Sequence, residues 1–214
     1  RLAGQASLSG LLTPQPTFAC TFATSPIQLR QLFTTVPAEW VHPQLPVVIK
    51  DREIDGIVEV VSATVTGSSV EGTQLSLTGE FRVKQGQALI GENRVPAKDL
   101  TAVVSVEAGR LRVSNLSGLY GTIHMNDSKA FVSFLEAGPW LEWDITGTMT
   151  AADLLQHLGK TVKSEQLSRM LAPLHEVEGM ASTTFRMVGP LDQPSGVTFA
   201  GGEITVQRVS LTHP

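Results

Sequence analysis

The chain has 214 residues, of which 42% are apolar and 17% are charged, and its formal net charge is -4. This length allows one sizeable core or two small ones, and the low charge with abundant Gly, Ser, Thr and Val favours a mostly β protein. The few Lys and Arg form no basic cluster, which argues against a nucleic-acid partner. No run approaches the ~20 apolar residues of a membrane-spanning helix.

A first helical insert is predicted near residues 25–33. Ser25 and Gln28 fit a capping box, with a proline between them at the first helical position. The stretch that follows, residues 34–50, contains three prolines. A second helix there is therefore expected to be short or replaced by a loop.

Alternation of apolar and polar residues predicts β-strands through most of the chain, for example over residues 141–146. Turn signals at residues 117–118 and 126–128 are predicted to separate consecutive strands. Strands joined by such short turns pair antiparallel. The expected fold is mainly β: a long, antiparallel, highly curved sheet with short helical inserts.

A second helical insert is predicted over residues 150–172. Thr150 and Asp153 have the spacing of a capping box, and an apolar stripe of leucines follows. Another helical segment is expected over residues 164–171, and Pro173 should end it.

Two stretches of the chain match each other at one offset of 123 residues. Residues 52–84 align without a gap on residues 175–207, and the identities include Gly56 with Gly179. Fixed-period self-similarity indicates an array whose units bury their apolar faces against each other. We therefore expect the two copies to form the same strand pair.

This repeat suggests a division of the chain into two β-groove units. The first is expected over residues 1–90 and the second over residues 91–214, packed as one continuous sheet. Because the chain opens on residues that read as the end of a strand pattern, we expect it to be an internal fragment of a longer repetitive protein.

Candidate catalytic residues form no convincing pattern. The five histidines include no pair at i, i+4, and no carboxylate recurs at a ligand spacing. The acidic pairs before Gly56 and Gly179 recur in both copies beside a strand, so a structural role explains them better than acid–base catalysis. Gly201 and Gly202 precede no helix and are expected to form a bulge or turn, not a phosphate loop. We expect no enzyme, no catalytic residue, no metal and no cofactor.

One face of the predicted sheet collects an apolar surface that two short helices cannot cover. Two interpretations stay open: a closed barrel or sandwich whose core these residues fill, and an open groove that binds acyl chains. Phe134, Trp143, Phe185 and Met187 are the residues whose substitution should be most informative. The predicted concave face contains Val61, Val65, Leu77, Phe81, Val104, Val106, Leu111, Val113, Ile123, Met125, Val132, Phe134, Trp143, Ile145, Phe185, Met187 and Phe199.

The second copy resembles a known repeated sequence motif. Residues 176–179 lead into a strand that ends in Val-Gly-Pro-Leu-Asp-Gln-Pro at residues 188–194, and residues 197–202 begin the next strand. This is similar to the "G, strand, G-P-L-x-x-P, strand" phrase of the bacterial AsmA-like proteins, the group that includes TamB and YhdP. The first copy has Thr-Gly-Ser-Ser-Val at residues 66–70 instead, so the second copy carries the resemblance.

The resemblance implies a segment of a large periplasmic protein, anchored in the inner membrane by a helix outside this chain. In that family a taco-like, repeating β-groove resembles that of eukaryotic bridge-like lipid transfer proteins and is implicated in moving phospholipid toward the outer membrane. It implies phospholipid acyl chains and neighbouring repeats of the same polypeptide as partners, and no catalytic residues. The alternative is a structural or partner-binding closed β module of an envelope or surface protein, without lipid cargo.

Overall fold

The computed structural model describes residues 2–9, 17–35, 43–68, 76–91, 93–107, 110–135, 138–154, 175–193 and 196–212. Their strands and helices are β1 (Leu2–Ser9), β2 (Thr17–Thr24), β3 (Ile27–Gln28), α1 (Leu29–Thr35), α2 (Leu45–Asp51), β4 (Asp55–Ser68), β5 (Ser76–Ile90), β6 (Val95–Glu107), β7 (Arg110–Tyr120), β8 (Ile123–Leu135), β9 (Gly138–Thr150), β10 (His175–Pro190) and β11 (Thr198–Thr212).

The strands form one antiparallel sheet of 11 strands. Ten of them lie in the order β1-β2-β4-β5-β6-β7-β8-β9-β10-β11, and the short β3 pairs with β4 beside β2. The mainly β, antiparallel architecture with short helices is thus confirmed. The sheet is open, with β1 and β11 as its edges. The strong, taco-like curvature stays a prediction.

The period-two alternation decides which face of each strand is buried. In β9, Trp143 and Ile145 are buried, whereas Asp144 and Thr146 are exposed. Directly opposed residues of antiparallel strands point to the same face, so the register joins these apolar residues to those of the neighbouring strands. The result is one apolar face that extends across the sheet.

The first helical insert begins later than predicted. Ile27 and Gln28 pair with Val58 and Ile57 of β4, and the helix starts only at Leu29. The predicted capping box at Ser25 therefore does not start α1. Pairing with β4 satisfies the backbone groups of residues 27 and 28 that a first helical turn would leave without partners.

The other helical predictions agree with the structure where residues are described. The helix α2 is short and has Pro46 in its first turn, where a missing N–H costs little. Thr150 caps a helical turn at residues 151–154, because its Oγ1 accepts a hydrogen bond of 3.0 Å from the Asp153 N–H. The rest of the predicted insert, residues 155–172, lies outside the described residues.

The two matching stretches form strand pairs with the same register. Residues 57–60 of β4 pair with residues 81–84 of β5, and residues 180–183 of β10 pair with residues 204–207 of β11. Each range of the first pair lies 123 residues before the corresponding range of the second pair. The prediction that both copies form the same strand pair is confirmed for these residues, whereas the division into units 1–90 and 91–214 stays a prediction.

A glycine bulge precedes both of these paired segments. Gly56 has φ +148° and Gly179 has φ +134°, and each lies at a register shift of its strand. A side chain at position 56 would also meet the Gly86 backbone, because an added Cβ would lie 2.9 Å from its Cα. Farther along, β4 has an extra residue between Val60 and Ser62, where β10 keeps its register.

Two predicted turns are bulges inside longer strands. The strand β7 continues through residues 117–118, and β8 continues through residues 126–128. Four non-glycine residues with φ of 51–52° lie at register shifts of β5 to β8 and form what we call the bulge row: Gln85, Asp99, Asn115 and Asp127. Asn and Asp tolerate this left-handed conformation, so residues typical of turns here serve as bulges.

The buried apolar residues form two clusters. The helix-covered core lies under α1 and contains Phe22, Leu32, Val58, Val60, Ala63, Val65 and Leu77. The strand core is larger and contains Ala97, Ala102, Leu116, Tyr120, Ile123, Met125, Val132, Leu141, Trp143, Ile145, Met149, Leu154, Ala181, Met187 and Val197.

Candidate apolar binding site

A pocket of ≈ 260 Å³ lies between the two helices and the apolar face of β4 to β7. It continues the apolar surface of the helix-covered core toward β7. Its lining consists of Phe22, Leu29, Leu32, Phe33, Leu45, Ile49, Ile54, Asp55, Val58, Leu77, Phe81, Val83, Gly86, Gln87, Ala88, Leu100, Val104, Val106 and Leu111.

Helical periodicity places the helix side chains over this pocket. Leu29, Leu32 and Phe33 have the spacing i, i+3, i+4, which brings them to one face of α1. Leu45 and Ile49 are four residues apart and share a face of α2 in the same way. Helices of seven residues are unstable alone, so both depend on packing against the sheet.

The pocket is polar at one end. Asp55 and Gln87 are the polar side chains among its described lining residues, and they oppose each other at the start of β4. The Asp55 carboxylate is 3.1 Å from the Arg30 guanidinium, whose side chain is 81% exposed. At the other end, Leu77 and Val106 keep the lining apolar. The pocket therefore has a charged end at Asp55 and an apolar end at Leu77 and Val106.

A larger depression of ≈ 530 Å³ lies on the opposite face of the sheet. Arg82 and Lys84 line it, and they alternate along β5 with Phe81 and Val83 of the apolar face. Its lining mixes apolar residues such as Ile57 and Val103 with exposed polar residues such as Asp99 and Thr101, and no helix covers it among the described residues. We regard the smaller apolar pocket as the better candidate for ligand binding.

The strand core, in contrast, encloses its aromatic residues. The rings of Tyr120 and Trp143 meet edge to face with centroids 5.0 Å apart, and Phe185 lies 6.5 Å from Tyr120. These rings join side chains of β7, β9 and β10 into one packed cluster. Burial raises the pKa of the Tyr120 phenol to about 12, and its hydroxyl lies 3.6 Å from the sulfur of Met187.

Comparison with known proteins gives no match: no family model, no curated protein and no solved structure matches the chain. Among the described residues, no helix has the length and apolar character to cross a membrane. In the same part of the chain, no group of three or more His, Cys, Asp or Glu side chains could hold a metal ion.

The structure divides the predicted concave-face residues among several places. Those in the pocket wall are Leu77, Phe81, Val104, Val106 and Leu111. Those that belong to the strand core or pack against it are Val113, Ile123, Met125, Val132, Phe134, Trp143, Ile145, Phe185 and Met187.

Three of the predicted residues lie elsewhere. Val65 belongs to the helix-covered core. Phe199 lies on the edge strand β11, pairs with Met187 of β10 and is 65% exposed. Val61 is the extra residue of the β4 bulge, and Val60 occupies the buried position opposite Phe81 instead. The bulge shifts the alternation by one residue, which sequence periodicity alone does not reveal.

The sequence prediction leaves out the helix side chains of the pocket. It also leaves out other apolar lining residues, namely Phe22, Ile54, Val58, Val83, Ala88 and Leu100. Leu32 is buried at 6% exposure, and Phe33, Leu45 and Ile49 complete the pocket roof. The sequence carries a signal for these helix faces in the i, i+3, i+4 spacing of Leu29, Leu32 and Phe33 and in the i, i+4 spacing of Leu45 and Ile49. Of the four residues selected as most informative, all lie in or against the strand core and none lines the pocket.

Proposed function

We propose that this chain binds the acyl chains of phospholipid and acts as a segment of a periplasmic lipid-transfer groove of the AsmA-like type, between the inner and outer membranes. The proposal is for a binding segment without catalysis, whose partners are phospholipid and neighbouring repeats of the same polypeptide. The observation that carries it is the apolar pocket that continues the apolar face of the sheet.

The size and lining of the pocket support a hydrocarbon ligand. An apolar cavity of about 150 Å³ can stay dry and take up benzene. This pocket has ≈ 260 Å³ and is lined almost entirely by aliphatic and aromatic side chains. It has room for one section of an acyl chain, while water would find hydrogen-bonding partners only at the Asp55 end.

The polarity of the pocket supports one orientation of such a ligand. The polar headgroup would lie beside Asp55, Gln87 and Arg30, where polar groups keep access to water. The hydrocarbon would extend toward Leu77 and Val106. The reverse orientation would bury the headgroup among apolar side chains without hydrogen bonds, which costs several kcal/mol.

Phe81→Asp tests this function in the pocket wall. Phe81 is half-buried and lines the pocket, so a carboxylate there would meet the bound hydrocarbon. We expect binding of a fluorescent fatty acid to fall by at least about tenfold while the thermal melt stays cooperative. The matched control is Phe131→Asp, because Phe131 pairs with Glu142 on the opposite face. Equal binding by both variants would contradict the proposal.

A second variant fills the pocket without introducing a charge. Val104 lines the pocket and faces Phe81 across β5 and β6. Val104→Phe is expected to keep or raise the melting temperature, because the added ring takes up empty volume, and to abolish fatty-acid binding. Native mass spectrometry of the purified chain, searched for bound phospholipid, measures the same property without a probe.

The second candidate is a structural or partner-binding module whose interior is filled by side chains although its sheet is open, and the packed strand core favours it. Ile145 is 0% exposed and Trp143 is 4% exposed, as in the core of an ordinary domain. In that case the pocket would be a packing defect and the chain would bind no lipid. Phe81→Asp would then lower stability like a core substitution, because the carboxylate would find no water.

A further inference from the structure

Arg52 joins the end of α2 to two distant turns. Its side chain is buried, with 3% exposure. Nε and Nη2 donate hydrogen bonds of 3.2 and 2.9 Å to the carbonyl oxygen of Leu191, and Nη2 also lies 3.3 Å from the Gln193 carbonyl oxygen. Nη1 donates a bond of 3.1 Å to the carbonyl oxygen of Gly91. We call this set of bonds the Arg52 fork.

The fork connects the pocket roof to a firmly held part of the sheet. Leu191 N–H donates a bond of 2.8 Å to the Pro139 carbonyl oxygen, which ties the turn at residues 191–193 to β9. The Asp192 carboxylate lies against Gly138, where an added Cβ would be 2.7 Å from Oδ2. One side of the fork is thus anchored on the strand core, and the other side carries α2.

The chemistry of the fork allows its release. The hydrogen bonds of the Arg52 guanidinium named above all end on backbone carbonyls. Burial lowers the pKa of Arg52 most, and Arg94 lowers it further, whereas Asp51 and Asp192 raise it. A guanidinium stays charged in proteins, so water would solvate it well if α2 moved outward. Hydration would offset much of the loss of the carbonyl bonds.

Beyond the fork, the contacts that α2 makes through its side chains are mainly apolar. Val48 is buried, while Leu45 and Ile49 face the pocket and contact whatever fills it. A hydrocarbon that enters beneath α2 can replace these contacts with its own. Two other polar contacts hold the same end of the helix: the Arg52 carbonyl oxygen accepts a bond of 2.7 Å from the Leu89 N–H, and Arg94 Nη1 donates one of 3.1 Å to the Asp51 carbonyl oxygen. The fork is the buried side-chain part of this polar attachment, and it is the part that reaches the turn at residues 191–193.

We infer that α2 is a movable cover of the pocket, that the Arg52 fork holds it closed on the turn at residues 191–193, and that release of the fork admits the hydrocarbon. The ligand-gating part of this inference rests on the proposed lipid-binding function. The mobility of α2 does not, and it is measurable on the ligand-free chain.

Arg52→Lys tests the latch, because lysine keeps the charge but lacks the planar fork that bonds two turns at once. The control is Arg82→Lys on the opposite face of the sheet, since Arg82 is exposed, pairs with Glu59 and makes no bond to α2 among the hydrogen bonds and ion pairs of the described residues. Hydrogen exchange reports the cover through the amide of Leu89 in β5, which donates a bond of 2.7 Å to the Arg52 carbonyl oxygen and loses it when α2 moves outward. We expect about tenfold faster exchange of this amide in Arg52→Lys, with unchanged exchange in β9.

The ligand arm uses cis-parinaric acid, a fluorescent fatty acid, in stopped-flow mixing. Uptake and release should both become several-fold faster in Arg52→Lys, whereas the dissociation constant should change little, because a cover alters both rates. Unchanged exchange of the Leu89 amide in the folded variant would contradict the proposed role of the Arg52 fork, and so would equally faster exchange throughout the sheet. If no variant binds the fatty acid, the lipid-binding function fails, and the exchange data alone decide whether α2 is latched.

Discussion

The helix-covered core and the strand core use the same kind of apolar strand face but cover it differently. In the strand core, side chains from β7 to β10 meet each other over the sheet, as the contact of Tyr120 with Trp143 illustrates. In the helix-covered core, two short helices span the face and leave a pocket of ≈ 260 Å³. An alternating apolar pattern therefore specifies a buried face, but the covering element decides whether that face becomes a packed core or a cavity.

The largest expected difference between the two cores is the cost of removing a large side chain. Trp143→Ala should lower the free energy of unfolding by about 3–5 kcal/mol, because the enclosed strand core cannot collapse into the space. Leu32→Ala should cost about 2 kcal/mol, at the low end for this substitution, because α1 lies beside an existing cavity and can settle. Urea unfolding followed by circular dichroism measures both.

The midpoint and the slope of the urea transition must be compared together, since a changed slope would indicate an altered unfolded state. Losses of equal size in the two variants would mean that the pocket roof is packed as rigidly as the strand core, which would remove the distinction between them.

The strand core should also respond to alkaline pH. Tyr120 has a pKa of about 12 in the fold, against 10.0 for an unperturbed tyrosine. The unfolded chain therefore loses this proton first, so the contribution to stability is complete below pH 10 and is lost as pH rises toward 12. The expected loss is about 2–3 kcal/mol.

Tyr120→Phe isolates this effect, because it keeps the ring contacts and removes the titrating group. Its stability should match that of the parent chain within ~1 kcal/mol at pH 8 and should decline less between pH 10 and 12. Tyr120 is the single tyrosine of the chain, so absorbance near 295 nm follows its ionisation directly. Identical pH profiles for both chains would contradict the assignment.

The smallest effect concerns the bulge row, which belongs to strands of both regions. Asn115 is exposed and has φ +52°, so its substitution reports on backbone conformation more than on packing. Asn115→Val should cost about 1–2 kcal/mol, because a β-branched residue is strained in the left-handed region. Asn115→Gly, the control, should be close to neutral. If valine were tolerated as well as glycine, the bulge would not constrain β7.

Sequence patterns predicted the parts of the fold that depend on local periodicity. The antiparallel strands follow from the alternation seen in β9, and the Thr150 cap follows from the side chain that bonds the Asp153 N–H. The shared register of the two copies follows from the aligned Gly56 and Gly179. Each of these features is fixed by residues that are near each other in the chain or by a direct repeat.

The features that sequence patterns missed depend on contacts between distant segments. The residues at 117–118 and 126–128 have turn-like composition, but neighbouring strands on both sides keep the chain extended there. The helix start moved because β4 pairs with residues 27–28. The pocket roof and the Arg52 fork combine segments up to 141 residues apart, and no local pattern encodes such a pairing.

The residues of the bulge row set the backbone conformation of β5 to β8, whereas other residues line the pocket. Its four residues act through left-handed backbone torsions, while the side chains on the apolar face alternate independently of them. Bulges bend a strand at a fixed position whatever apolar residues lie beside them. The backbone conformation at the row and the identity of the pocket-lining residues are therefore set by different positions. Exchanging Val104 or Leu111 for larger or smaller residues should alter which ligands the pocket accepts, while the bulges and the backbone around them stay in place.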